Sequence, residues 1–300
     1  EKAGTKIIIR YAEVLYPDLP EYAGKEGTMM LENYRDATST DVYICRGGEE
    51  VFQPKFTFHG YRYIEISGVE HAPELEEVES LQYSSVTEFH GSLTSSYKLL
   101  NRFAENVSWS QKCNFINIPT DCPQRNERLG WTGDAQIFFN TAAYLFDYAS
   151  FAQKYMRDVY DWQKKDGKLQ QIAPYGGVDF YMSFMDGSVG WADAGVLIPY
   201  RFGKLYGDDS LIRRHYDGMV RYARFMIKRC TQFTPPRHHL PLKGEAKKYI
   251  VNYGHSYGEW AEPADVFPDN WKNIFLPHPE ESTAYTVFIM EHMMEIAGYL

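Results

Sequence analysis

Near residue 88 the hydrophobic period of this chain changes from about two to about 3.6, which dictates a strand-rich first part and a helical second part. Upstream, "KIIIRYAEVL", "TDVYICRG" and "FTFHGYRYIEISGV" are dense in β-branched and aromatic residues, with Gly, Pro and Asp between them. In the third run Phe56 and Phe58, then Tyr61 and Tyr63, alternate on either side of His59-Gly60, which predicts a bulge or turn. A β-sandwich module over residues 1–87, incomplete at its N-terminus, fits best. The acidic run "HAPELEEVES" then reads as a solvated loop. Downstream, "LIRRHYDGMVRYARFMIKRC" places Ile212, Tyr216, Met219, Ala223, Met226 and Cys230 on one helical face. "STAYTVFIMEHMMEIAGYL" does the same with Tyr285, Phe288, His292 and Ile296. Further helices are expected over about 92–113, 135–164 and 192–206. The long connections, roughly 165–190 and 231–281, are rich in Gly, Pro, Trp and Tyr, and loops of that length are usually functional. The last helix reaches Leu300 with no Gly or Pro stop, so the helical domain, 88–300, is expected to be truncated.

Composition removes several function classes. A chain of 300 residues holds one large domain or two ordinary ones. Its net charge of −9 disfavours nucleic acid, because phosphate contacts need clustered Lys and Arg, and the longest basic cluster, Lys243–Lys248, is interrupted by Glu245. No apolar run is long enough to cross a bilayer. The N-terminus lacks Met and a signal-peptide pattern, and it starts as if cut from something longer. Cys45, Cys113, Cys122 and Cys230 form no CxxC pair, so neither zinc nor a disulfide framework is expected, and no cofactor is implied. The adjacent pair His238-His239 lacks the spacing of a metal site. Aromatic residues make up 16% of the chain, a share that suits surfaces stacking on ring-shaped ligands.

The densest chemistry lies in "DCPQRNERLGWTGD", Asp121 to Asp134. Pro119, Pro123, Gly130 and Gly133 keep it out of regular helix, and "DAQIFFNTAAYLF" starts a helix directly after it, with Asp134 at the N-cap position. Glu127 sits between Arg125 and Arg128, with Asp121, Asp134 and Trp131 close in sequence. A surface ion-pair cluster accounts for these residues. So does a carbohydrate site, where carboxylates accept from vicinal hydroxyls, Arg donates, the indole packs on a sugar ring and one carboxylic acid protonates a glycosidic oxygen. Cys122 could be suspected as a nucleophile, but with no His beside it a small buried side chain is preferred.

"IPTDCPQRNERLGWTGDAQIF" resembles the signature of the α-L-rhamnosidases of glycoside hydrolase family 78, departing from it mainly at Asn126, where the family carries Asp. "FTFHGYRYIEISG" resembles the family's β-sandwich segment, and "GWADAGVLIPYRFGKLYGD" and "YGEW" resemble later landmarks of its (α/α)6 barrel. The resemblance covers essentially the whole chain. It implies a glycoside hydrolase that releases α-L-rhamnose with inversion, with Glu127 as general acid. Asp121, Arg125, Trp131 and Asp134 would hold the rhamnosyl ring, with Trp191 and Trp260 as further aromatic walls. An inverting acid and base stand roughly 6.5–9.5 Å apart. No position here matches the family's base, which is expected beyond the end of the chain; Glu259 and Glu262 are weaker substitutes. Because Arg125 and Arg128 would favour the anion of Glu127, Arg125 is expected to reach another carboxylate or the sugar, not Glu127 alone.

Two rivals stay open. A uronate-processing hydrolase or lyase on the same helical scaffold would use His255 or Tyr257 for proton abstraction. A non-catalytic carbohydrate-binding protein would use the aromatic loops without an acid. The expected partner is a rhamnose-containing oligosaccharide, polysaccharide or glycoside, a substrate class that points to a periplasmic or extracellular setting.

Overall fold

The computed structural model describes residues 1–177, 183–230, 244–251, 254–258 and 278–300. The chain divides into two compact units: Glu1–Ser84 with Asp121–Arg128, and Ser85–Thr120 with Leu129–Leu300. In the first unit β1 (Lys6–Ala12) is followed by β2 (Val14–Leu15), β3 (Met29–Met30), β4 (Thr40–Ile44) and β5 (Tyr63–Ser67). The run Ile7–Ile9 makes β1 the central strand of an antiparallel sheet ordered β4-β1-β5. Its register pairs Ile8 with Val42 on one side and Arg10 with Glu65 on the other, where the guanidinium Nε donates to the carboxylate at 2.8 Å. β2 and β3 form a separate two-stranded ladder.

Of "FTFHGYRYIEISG" only Tyr63–Ser67 becomes strand. His59 turns inward instead of joining a ladder: its ring stacks on Tyr11 at 4.1 Å, and Nε2 lies 3.0 Å from Asp41 Oδ2. Gly60 allows a close approach here, since a Cβ would sit 3.0 Å from Pro123. The Tyr34 hydroxyl donates to the Gly60 carbonyl at 2.7 Å. The acidic run is exposed as expected, with a capping box in which Glu74 and Glu77 satisfy each other's backbone N–H.

The second unit holds α1 (Lys98–Asn114), the hairpin β6 (Phe115–Ile116) and β7 (Ile118–Pro119), and then α2 (Thr132–Leu145), α3 (Ala149–Asp161), α4 (Ala194–Tyr206), α5 (Ser210–Cys230) and α6 (Pro279–Tyr299). The helix expected over 135–164 is two helices. The chain becomes extended at Phe146, which bridges Phe89, while Asp147 N–H donates to the Glu88 carbonyl at 2.9 Å. On α5 the expected stripe is buried at Ile212, Met219, Ala223 and Met226. On α6 the buried stripe is rotated to Ser282, Thr286, Ile289, Met293 and Ile296, and Phe288 is exposed. Thr286 tolerates burial there because its hydroxyl donates to the Ser282 carbonyl at 2.6 Å, within the helix.

Buried His215 on α5 stacks on Tyr160 of α3, with centroids 4.3 Å apart. Burial, then the nearby Arg214, holds its imidazole down to about 4. The unfolded chain therefore takes up the proton first as pH falls from about 6.5, the ordinary His value, to about 4, and stability present above that window is lost through it. We expect His215→Phe, which keeps the stack, to lose less melting temperature than the parent between these pH values. Parallel slopes in thermal scans would contradict this. His255 acts in the same sense and buried Asp193 in the opposite one, but both are common to the pair and cancel in the comparison.

Candidate active site

The loop bearing Glu127 groups with the strands, although it leaves the β6-β7 hairpin and is followed by α2. Its turn depends on Arg128, which takes φ of 52°. In that conformation Arg128 N–H donates to Cys122 Sγ at 3.4 Å, Nε to the Arg125 carbonyl at 3.3 Å and Nη1 to the Phe58 carbonyl at 3.0 Å. The guanidinium also lies 4.9 Å from the Phe58 ring centroid. Cys122 is buried, and burial first, then its bond to Asp121, pushes the thiol up to about 11. That leaves it neutral and unsuited to attack, in agreement with the preferred reading.

Arg125 spreads over two carboxylates: Nη2 donates to Asp121 Oδ2 at 2.8 Å and Nε to Glu127 Oε2 at 3.0 Å. Arg35, just after the short turn Glu32–Tyr34, donates to the same Glu127 oxygen at 2.9 Å. The Asp121 side chain is 5% exposed and that of Glu127 21%, so this is not a solvated surface cluster. The Asp121, Cys122 and Glu127 ligand atoms lie within 4.8 Å of one another, close enough to share a cation. Arg125 bridges both carboxylates and supplies that positive charge itself, and the thiol is protonated, so the donor set does not fit a metal. Asn126 Nδ2 donates to Asp36 Oδ2 at 3.3 Å. Glu127, Asn126 and Arg128 line an open groove of about 430 Å³ with the segment 36–41, Thr57 and His59.

In the helical unit Trp131, not Asp134, is the N-cap of α2. The helix begins early because Thr132 N–H donates to the Gln171 carbonyl at 2.8 Å, which fixes the first turn before Asp134 is reached. Asp134 lies exposed in that first turn, where the helix dipole favours a carboxylate. Trp131 and Trp191 are half-buried and converge on Tyr257, at centroid distances of 6.3 and 4.1 Å. The Tyr257 hydroxyl donates to Gln171 Oε1. Trp191 is carried by a tight turn anchored by Asp193, which is fully buried and accepts from Gly190 N–H at 2.6 Å and the Tyr222 hydroxyl at 2.8 Å. Burial pushes the Asp193 carboxyl up to about 6. His255, packed on Tyr257, is driven down to about 4 by burial, then by Arg229 and His278, so it is a neutral ring near pH 7. Trp260, Glu259, Glu262 and the pair His238-His239 lie outside the described residues.

Arg35, Asp36 and Gln171 went unread because each lies far along the chain from the motif it joins. Asp193 carried a signal, "GWADAG", read only as a landmark.

Residues 88–300 match the profile of the bacterial alpha-L-rhamnosidase 6 hairpin glycosidase domain, and residues 1–84 match the bacterial alpha-L-rhamnosidase concanavalin-like domain. The chain belongs to the bacterial α-L-rhamnosidase family. An α-L-rhamnosidase of Streptomyces avermitilis is 34% identical over 89% of this chain and 23% of its own length. Among solved structures, an α-L-rhamnosidase from Dictyoglumus thermophilum is 34% identical with a TM-score of 0.80, covering 99% of this chain and 30% of that one. The Streptomyces avermitilis α-L-rhamnosidase complexed with L-rhamnose gives 30% identity and a TM-score of 0.80, covering 100% and 25%. The chain thus spans under a third of the length of these rhamnosidases.

The shelf that carries Trp191 depends on a missing side chain. A Cβ at Gly133, in the first turn of α2, would lie 2.8 Å from the Trp191 indole. We expect Gly133→Ala to cost about 1–3 kcal/mol in urea unfolding through overpacking and to shift tryptophan emission. Unchanged stability together with unchanged emission would show that the indole is not held there.

Proposed function

We propose that this chain supplies the general acid and part of the sugar-binding surface of an inverting α-L-rhamnosidase acting on rhamnose-containing glycosides or polysaccharides. The observation that carries this reading is Glu127, mostly withdrawn from solvent in a groove wall and oriented by two arginines, in a chain of the rhamnosidase family. The strands are read as part of a β-sandwich and the helices as part of an (α/α)6 barrel.

Glu127 protonates the glycosidic oxygen as the bond to the anomeric carbon breaks. Both arginines contact Oε2, which fixes the orientation of the carboxyl group. Arg125 also neutralises Asp121, which would otherwise repel the developing anion of Glu127 after proton transfer. The same two arginines hold the spent carboxylate as its negative charge forms. The family resemblance assigns Asp121, Arg125 and Asp134 to sugar hydroxyls and Trp131, Trp191 and Trp260 to ring faces. Inversion also needs a base carboxylate roughly 6.5–9.5 Å from the acid, with a water between base and anomeric carbon. No described residue is assigned to that role.

The test is Glu127→Gln in the full gene product. Turnover of a natural rhamnoside should fall by at least ~10²-fold, the lower end for loss of a general acid, with L-rhamnose affinity by calorimetry changed by no more than about threefold. Hydrolysis at the parental rate removes Glu127 from the mechanism.

A further inference from the structure

The groove beside Glu127 is built for something other than a deoxy sugar's apolar face. Its wall consists of Asp36, Ala37, Thr38, Ser39, Thr40, Asp41, Thr57, His59 and the loop residues Asn126, Glu127 and Arg128, so Ala37 is its one aliphatic side chain. Its one aromatic ring, His59, already has a face covered by Tyr11. The volume of about 430 Å³ falls within the usual ~300–1,000 Å³ of a small-molecule site.

We propose that this groove binds the leaving group, and that it selects a hydroxylated one, a sugar, over a flat apolar aglycone; this rests on Glu127 being the acid. A general acid touches the oxygen shared by the departing group and the ring being released, so a ligand seated along its own wall lies on the path of one or the other. Rhamnose offers a methyl group and a ring face that suit indoles, and the groove has none to give. A second sugar instead presents adjacent hydroxyls. The Asp36 carboxylate and the Asn126 amide, 3.3 Å apart, form an acceptor–donor pair of the kind that chelates them. The exposed hydroxyls of Thr38 and Thr57 add two further donor–acceptor groups. His59 also lines the groove, with Nε2 held 3.0 Å from Asp41 Oδ2.

Backbone conformation points to the same place. Arg35, Ser39, Phe56 and Arg128 are four of the five non-glycine residues with positive φ among those described, and each lines the groove or directly precedes a residue that does. Strained backbone is kept where surrounding structure holds side chains in position for a ligand.

The experiment compares kcat/KM on a rhamnosyl disaccharide with that on p-nitrophenyl α-L-rhamnoside, using the full gene product and its Thr57→Val and Asn126→Ala variants. Each variant should lower the disaccharide-to-aryl ratio about five- to tenfold, mainly through KM for the disaccharide, the worth of one hydrogen bond. Thr57→Val is nearly isosteric and exposed, so its folding is not at risk. If the parent cleaves the aryl rhamnoside and the ratio stays unchanged in both variants, the groove assignment fails alone. A parent that cleaves neither substrate overturns the rhamnosidase reading and the groove's role with it.

Discussion

Two guanidiniums on one carboxylate oxygen, Arg35 and Arg125 on Glu127 Oε2, set the character of the site. Exposed ion pairs contribute about 0–1 kcal/mol, and Arg35, with its side chain 57% exposed, is no exception, so the pairing is weak as a source of stability. Its value is positional. A glutamate side chain has three rotatable bonds, and anchoring one oxygen twice leaves the other with a defined direction. The loop beneath the anchor is tied down by its own hydrogen bonds. Arg128 in the left-handed region ties Cys122, Arg125 and Phe58 together, and Pro123 packs onto the bare backbone of Gly60.

The aromatic side chains of the helical unit follow the same logic by different means. Trp191 has no anchoring charge of its own. It is held by a turn pinned from below by Asp193, whose two oxygens accept from Gly190 and Tyr222 in a fully buried position. A buried carboxyl is costly unless satisfied, and these bonds satisfy it, so the turn has one stable conformation. Gly133 then leaves room for the indole against α2. The two tryptophans converge on Tyr257, and a preorganised apolar surface of this kind costs less entropy to bind a ring than a mobile one.

Family membership is established by the comparisons, whereas the site chemistry is a proposal that leans on it. The match over residues 88–300 establishes the family, while the match to solved rhamnosidases at a TM-score of 0.80 establishes the fold. Neither says which side chain does what. The roles proposed for Glu127, Asp121 and Arg125 follow from the resemblance at their motif, and burial, hydrogen bonds and charge support them. The leaving-group role proposed for the polar groove is a further layer on that reading.

Much was legible from residue order alone. The switch from period two to 3.6 separated strands from helices, and Ile212, Met219, Ala223 and Met226 were read correctly as one buried face, because burial on a helix repeats along the chain itself. Pro119 and Pro123 marked a loop, and Glu127 between two arginines near a tryptophan fitted a surface ion-pair cluster or a carbohydrate site, with the family resemblance favouring the second. The misreadings share a cause. Asp134 was displaced from the N-cap by a bond from Thr132 to Gln171, and the 135–164 helix was broken by pairing with residues 88–90. Each depends on a partner that local propensity does not contain. The same holds for Arg35, Asp36 and Thr57, which join Glu127 from far upstream. Residue types and spacing determined which chemistry this chain carries; only tertiary structure decided which distant side chains surround the carboxylate, because hydrogen bonds and charge act through space and not along the chain.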